Sequence, residues 1–569
     1  MSHADAGEVA VEAQVKDSVM SYEEHPTKEI RLSLIDRVNL ALIAMPVAAR
    51  TAARHMLGWS EPSKYLDLKS EIIVAVVRSL IVPQPPPLLS LPFFSSSSSS
   101  SANGAHRSGG RSITETQRLL NRDPGVMGPL WVSEYTAPGG ANAEENAGIR
   151  DALVDVVKRL HFEEGEGRNG APLPDVKWPD VVPVEAEWTG HRTGARESAL
   201  LPEYMDEEER FAALMSHIEA PQPTTILYLH GGAMYLLDPA THRGAALALS
   251  KRVGGRCYSV RYRLAPQSAF PTQILDALVS YLTLLYPPPG AYHEAVSPAH
   301  IVFSGDSAGG NLCLALTRVL LDFQRNDTRI MWHGSPRIIP LPAGVALNSP
   351  WADVSNSSPS WQPSPESGRA EFDYLPPMVL PGSDGLNRPP CEAWPSKPPR
   401  RFLYTETDLV THPLASPFIS DPKGWEGAPP MYVCVGWEML ADEVGFLTAT
   451  RLHNNGNGAS SVVFEQYEAM PHCFALVLPK LPGAKRCLKG WSEFIRQAVE
   501  RPETLRKGAT GPGNGSSFTH IKAKTLEETP IDPATLSPYT EERIKETIRK
   551  RLALSSTLQP FTAKTNAKL

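Results

Sequence analysis

The stretch Phe303-Ser304-Gly305-Asp306-Ser307-Ala308-Gly309-Gly310-Asn311 sets a serine between two glycines, directly after the apolar run Ile301-Val302-Phe303. A serine hydroxyl becomes a nucleophile when a tight turn presents its Oγ and a neighbouring base takes its proton. Gly-x-Ser-x-Gly at a strand-to-helix junction is such a turn, a nucleophile elbow, in which side chains at Gly305 and Gly309 would crowd the adjoining strand and helix. A short motif with two fixed glycines also recurs by chance, so its meaning depends on what accompanies it.

The accompanying residues lie on other strand ends. Upstream, Thr224-Thr225-Ile226-Leu227-Tyr228-Leu229-His230 reads as a buried strand running into Gly231-Gly232-Ala233-Met234. Alone, His-Gly-Gly is equally a tight turn; ahead of the serine motif it is a stretch whose backbone N–H groups can face a developing oxyanion. Downstream, Met431-Tyr432-Val433-Cys434-Val435-Gly436 reads as a strand followed by Trp437-Glu438-Met439-Leu440-Ala441-Asp442-Glu443. Val462–Tyr467 reads as another, with His472 on the loop Met470-Pro471-His472-Cys473-Phe474 after it. The chain order is serine, acid, histidine, the order of α/β-hydrolases. Each candidate sits just past the C-terminal end of a strand, where sites assemble in open α/β sheets. The expected fold is therefore an α/β-hydrolase, a mostly parallel central sheet with helices on both faces.

On these residues the chain resembles the hormone-sensitive-lipase-type esterases of the α/β-hydrolase fold-3 group. Tyr262-Arg263-Leu264-Ala265-Pro266 with Phe270-Pro271, Asn348-Ser349-Pro350-Trp351-Ala352-Asp353 and His412-Pro413-Leu414-Ala415-Ser416-Pro417 resemble further segments of that family, over roughly residues 180–500. The resemblance implies a helical N-terminal cap on this fold and a serine carboxylic-ester hydrolase acting on uncharged esters with small-to-medium acyl groups. Ser307 would attack the ester carbonyl and His472 would relay its proton. The oxyanion hole would be the Gly231, Gly232, Ala233 stretch, with Gly232 and Ala233 donating N–H bonds and Ala308 supplying a third. Alanine stands at 233 where the family usually has glycine, and the hole survives there if φ is negative. Alignment with the family's acidic segment puts Glu438 at the triad position; Asp442, one helical turn on, is the alternative acid. Amide or lactone hydrolysis, as in a formamidase or deacetylase, fits the same residues. A non-catalytic ligand-binding homologue is a further class, usually marked by loss of the histidine, and His472 is present.

The remaining polar residues have plainer expectations. In the family pattern His230 orients the oxyanion loop, and Asp306 and Asp276 are hydrogen-bonding scaffold. His242 reads as a surface or pocket-lining residue and His412 as exposed in a proline-rich loop. Cys473 invites a thiol mechanism, but a nucleophilic cysteine would need its own base, and Ser307 already has the elbow. No metal-ligand spacing occurs, so neither metal nor cofactor is expected.

Composition bounds the rest. The 569 residues are 41% hydrophobic with a net charge of −7, and no basic patch interleaved with aromatics points to nucleic acid; a small-molecule ester is the expected partner. Cys257, Cys313, Cys391, Cys434, Cys473 and Cys487 are scattered among buried segments, which suits a reducing compartment. Residues 1–30 read as disordered and without the pattern of a signal peptide. Localisation is expected to be intracellular, cytoplasmic or peripheral to an internal membrane. Residues 31–82 hold apolar helices too short to span a bilayer, which form either a cap over the pocket or an interfacial membrane-associating segment. Residues 83–111, with seven serines from Ser95 to Ser101, read as a low-complexity linker or a mistranslated intron. The hydrolase domain is expected over 112–506, irregular at 139–148 and interrupted by a loop insertion at 356–400 whose 380–394 portion shapes the pocket mouth. Residues 507–569 form a tail with one helix opening at Ser537-Pro538.

Overall fold

Short β-branched runs separated by helices build, in the computed structural model of the chain, one ten-stranded sheet. The structure describes residues 34–81, 111–164, 170–220, 222–361, 369–376, 388–397, 399–453, 461–505, 515–536 and 539–556. The strands are β1 (Leu130–Ala137), β2 (Val184–His191), β3 (Thr225–Leu229), β4 (Arg256–Val260), β5 (Ile301–Asp306), β6 (Ile330–Trp332), β7 (Ser335–Arg337), β8 (Gly344–Asn348), β9 (Met431–Val435), β10 (Val462–Tyr467), β11 (Ser517–Ile521) and β12 (Glu528–Pro530). Their order in the sheet is β1-β2-β4-β3-β5-β8-β9-β10-β11-β12, while β6 and β7 form a separate hairpin. From β4 to β11 every neighbouring pair is parallel; the antiparallel pairs lie at the two edges.

Parallel strands covered on both faces need apolar residues on both sides, and β3, β4, β5, β8 and β9 are buried at every position. The helices Thr272–Leu285 and Ala308–Arg325 pack together in one core, and every residue of the first is buried. The helices Pro239–Val253 and Pro482–Glu500 meet over the other face. Burying a Leu- or Phe-sized side chain contributes about 1.5–3 kcal/mol, so these two layers hold the strand ends in register.

Several expectations about the fold differ from the structure. The sheet does not stop before the tail: Ser517–Ile521 pairs in parallel with β10, from Val463 opposite Ser517 to Tyr467 opposite Ile521. Its short, half-polar pattern Ser-Phe-Thr-His-Ile, next to the edge strand β12, carries little hydrophobic signal. The 139–148 stretch is not irregular throughout, because a helix begins at Ala143, its N-terminus capped by the Asn142 side chain accepting from the Glu145 N–H. His412 is buried, its Nε2 3.0 Å from the Val157 carbonyl and its ring stacked on His161; burial pushes its pKa down to about 4. The N-terminal part comprises helices Leu34–Met56 and Leu68–Ile81, packed on each other. The tail helix runs Glu541–Ser556 and does not open at Ser537-Pro538: Tyr539 and Thr540 are not helical, and the Thr540 hydroxyl accepts from the Arg543 N–H at 3.3 Å at the helix start. Residues 1–30, most of 83–111 and Ser537-Pro538 themselves lie outside the described residues.

Candidate active site

The elbow forms because the chain reverses between a buried strand and a buried helix with no room to spare. Ser307 follows β5 directly and caps the helix Ala308–Arg325 at φ 50°, ψ −120°, a strained conformation for a residue with a side chain. A Cβ on Gly309 would fall 1.9 Å from the Leu229 carbonyl oxygen of β3, so only glycine fits beneath the turn.

The loops after β9 and β10 bring acid and histidine to this serine. The Ser307 hydroxyl donates to His472 Nε2 at 2.9 Å, and His472 Nδ1 donates to Glu438 Oε1 at 2.8 Å. An ionised carboxylate only accepts, so Nδ1 carries the proton and Nε2 is left free to receive the one from Ser307. Glu438 is fully buried. Its second oxygen accepts from Ser349 Oγ at 2.8 Å and from the Gly436 N–H at 3.0 Å. Ser349 Oγ in turn accepts from the Cys473 N–H at 3.3 Å, tying the histidine loop to the same point. Burial, the largest single influence on His472, pulls its pKa down, but the carboxylates of Glu438, Asp373 and Asp306 together raise it above 6.5. The alternative acid, Asp442, is turned away: its Oδ1 pairs with Arg369 at 2.9 Å.

The oxyanion stretch departs from expectation at two residues. The Gly231 N–H donates to Asp306 Oδ1 at 3.2 Å and is not available to a substrate. Ala233 has φ 52°, so the negative φ on which its place in the hole was expected to depend is not met, and Met234 follows at φ 67°; a left-handed φ strains an alanine but leaves its N–H in place, so the donor does not depend on that sign. Gly232 sits at φ 117°, where a Cβ would lie 2.1 Å from the Leu236 carbonyl oxygen. The N–H groups of Gly232, Ala233 and Ala308 meet no acceptor among the described residues.

A polar layer supports this loop from below. His230 Nδ1 lies 2.7 Å from the Gly231 carbonyl, and burial, then His242, pushes its pKa down to about 4. His242 is buried, not at the surface, with Nε2 3.4 Å from Asp306 Oδ1, which also accepts from Tyr228 at 2.7 Å. Asp276 accepts from Arg263 at 2.7 Å. Cys473 Sγ is 3.4 Å from His472 Nε2, yet burial, followed by the Asp306, Glu438 and Asp373 carboxylates, pushes its thiol well above the usual range, the wrong direction for a thiolate nucleophile. Trp394, from the 380–394 portion, packs with Tyr235 beside Ala233, and residues 377–387 lie outside the described residues. No group of three or more His, Cys, Asp or Glu side chains among the described residues is placed to hold a metal ion.

Sequence reasoning missed Asp373. This buried carboxylate accepts from the His472 N–H at 3.1 Å and the Met439 N–H at 2.8 Å. No motif marks it, since its partners are backbone groups far along the chain. Arg78, in the helix Leu68–Ile81, was equally silent; its Nε donates to the Asp373 carbonyl at 2.8 Å.

Residues 226–476 match the protein family described as alpha/beta hydrolase fold. An acetyl-hydrolase of Streptomyces hygroscopicus is 29% identical over 280 residues, which are 48% of this chain and 76% of the relative. An esterase of Acinetobacter venetianus is 27% identical over 279 residues, 48% of this chain and 76% of the relative. Among solved structures, an esterase from the bacterial hormone-sensitive lipase family aligns with TM-score 0.38 and 24% identity, over 63% of this chain and 97% of that one.

Proposed function

Residues 226–476 being an α/β-hydrolase domain, we propose that the protein is a serine carboxylic-ester hydrolase that works through an acyl-enzyme. The observation that carries this is the unbroken hydrogen-bond chain from Ser307 through His472 to Glu438. Ser307 Oγ attacks the ester carbonyl carbon as His472 Nε2 takes its proton, and Glu438 holds the resulting imidazolium. The N–H groups of Gly232, Ala233 and Ala308 receive the oxyanion, each donor contributing about 2.7–4 kcal/mol to the transition state. Collapse of the tetrahedral intermediate expels the alcohol, protonated by His472. Water, deprotonated by the same nitrogen, then releases the acid and restores Ser307. The substrates we assign are uncharged esters with small-to-medium acyl groups; the relatives named acetyl-hydrolase and esterase support that class. Ser307→Ala is expected to abolish turnover of p-nitrophenyl acetate and butyrate with the thermal melt nearly unchanged, and turnover at the wild-type rate would refute the serine mechanism.

The N-terminal helices are assigned as a cap, with a lipid-facing outer side. Val74 of the helix Leu68–Ile81 packs on Tyr374, whose ring lies 5.9 Å from that of His472. On the outer side Leu42, Met45, Met56 and Trp59 are 66%, 69%, 72% and 70% exposed. No acidic residue occurs between Arg37 and Glu61, and Arg50 and Arg54 are exposed. Apolar and cationic groups without acids suit the surface of an anionic bilayer. No helix among the described residues is long and apolar enough to cross one. The protein is expected to float with phosphatidylserine-containing vesicles, and failure to float would remove the lipid-facing assignment while leaving the cap.

A further inference from the structure

Asp373 belongs to neither loop of the triad, yet both of its carboxylate oxygens are committed to them. Oδ1 accepts from the His472 N–H at 3.1 Å and from the Leu375 N–H at 3.3 Å, and Oδ2 accepts from the Met439 N–H at 2.8 Å. Met439 follows Glu438, so one side chain grips the backbone at the base and immediately beside the acid. The side chain is fully buried, and a buried carboxylate is held in place only where such donors meet it. Its own backbone is anchored from outside the hydrolase domain, by Arg78 donating to the Asp373 carbonyl at 2.8 Å and to the Glu371 carbonyl at 3.0 Å.

We propose that Asp373 is a positioning residue for the esterase reaction, clamping the acid loop to the histidine loop so that His472 meets Ser307 and Glu438 together. This rests on the Ser307–His472–Glu438 reading above. A loop shifted by about 1 Å can cost on the order of a hundredfold in rate, and no other side chain described here bonds to the backbone of both loops at the catalytic residues or their immediate neighbours. The clamp also has an electrostatic consequence. The groups facing His472 are the carboxylates of Glu438, Asp373 and Asp306, the Tyr374 ring and the Cys473 thiol, with the Arg78 guanidinium behind the Asp373 backbone. A negative charge beside an imidazole favours its protonated form.

Asp373→Asn tests both consequences. The amide keeps one acceptor but turns an NH2 toward a backbone N–H, and it removes the charge. The expected result is a fall in kcat of about 10- to 100-fold with KM little changed. The acidic limb of kcat/KM should also move to lower pH, because His472 loses an anion that favours its protonation. Asp373→Glu keeps the charge but displaces the oxygens, so kcat should fall while the limb stays at the wild-type pH. A merely structural role would lower the melting temperature and the titratable fraction of active sites without moving the limb. Asp373→Asn with wild-type kcat, or with reduced kcat and an unmoved limb, overturns the proposal. Should that variant not fold, Asp373→Glu decides alone, and wild-type kcat there overturns it. Ser307→Ala run alongside separates the two levels, since activity surviving in it refutes the serine reading whatever Asp373 does.

Discussion

Replacing Glu438 by Gln alters one atom and leaves a steep loss of rate as the expected outcome, for reasons the hydrogen bonds make explicit. The carboxylate accepts on both sides: His472 Nδ1 at 2.8 Å on Oε1, and Ser349 Oγ at 2.8 Å with the Gly436 N–H at 3.0 Å on Oε2. A glutamine has one oxygen and one NH2. If the NH2 takes the Oε2 side it opposes the Gly436 N–H, a backbone donor that cannot turn round, at 0% exposure. Leaving such buried donors unsatisfied costs about 1–3 kcal/mol each. The NH2 therefore takes the Oε1 side, where it donates to Nδ1 and forces the imidazole proton onto Nε2. His472 then offers Ser307 a donor where it must offer a lone pair. A triad base held in the wrong tautomer loses about 10⁴-fold in kcat, or about 5.5 kcal/mol. Asp442→Asn breaks only the partly exposed pair with Arg369, worth about 1 kcal/mol of stability or less, and should leave kcat within severalfold of wild type. The assay is kcat on p-nitrophenyl butyrate at neutral pH, with folding checked by thermal melt. A Glu438→Gln enzyme within tenfold of wild type, or an equal loss in Asp442→Asn, would refute the tautomer argument.

The acidic limb of kcat/KM is expected above pH 6.5, because carboxylates facing His472 raise its pKa in the free enzyme. Activity is then full above that pKa and falls as pH drops through it, and a limb well below 6.5 in the pH–rate profile would contradict the sign. Gly309→Ala should yield no folded, active enzyme, since its Cβ would stand 1.9 Å from the Leu229 carbonyl oxygen; a normal melting temperature would show that the elbow can open. Cys473→Ala should keep kcat within severalfold of wild type, as the thiol sits beside His472 with its pKa pushed well above the usual range; loss of all esterase activity with folding retained would point to the thiol.

What was legible in the sequence was whatever is local. Ser307 and His472 each sit within a few residues of a strand end, so a motif and an apolar run are enough to place them. The parallel order of β3, β5, β8, β9 and β10 then follows from the alternation of strand and helix. Glu438 was readable only through a family alignment, because nothing in Trp437-Glu438-Met439 tells which carboxylate turns inward. That is decided by Ser349 and the Gly436 N–H, contributed by a neighbouring strand end and a backbone group. Backbone sign was hidden too: Ala233 takes φ 52°, a conformation alanine does not announce. The Gly231 N–H is consumed by Asp306, an acid 75 positions away in sequence. Asp373 and Arg78 stayed invisible for the same reason, as each acts on backbone atoms that only the folded chain brings near.

The identity of the nucleophile is the central claim, and a covalent trap reads it directly. Purified protein treated with diethyl p-nitrophenyl phosphate should release one equivalent of p-nitrophenol, lose esterase activity, and carry a single diethylphosphoryl group on the peptide containing Ser307, by mass spectrometry. Ser307→Ala should remain unlabelled. A label on Cys473 or any other residue as activity is lost, or activity persisting in fully Ser307-labelled protein, would contradict the mechanism.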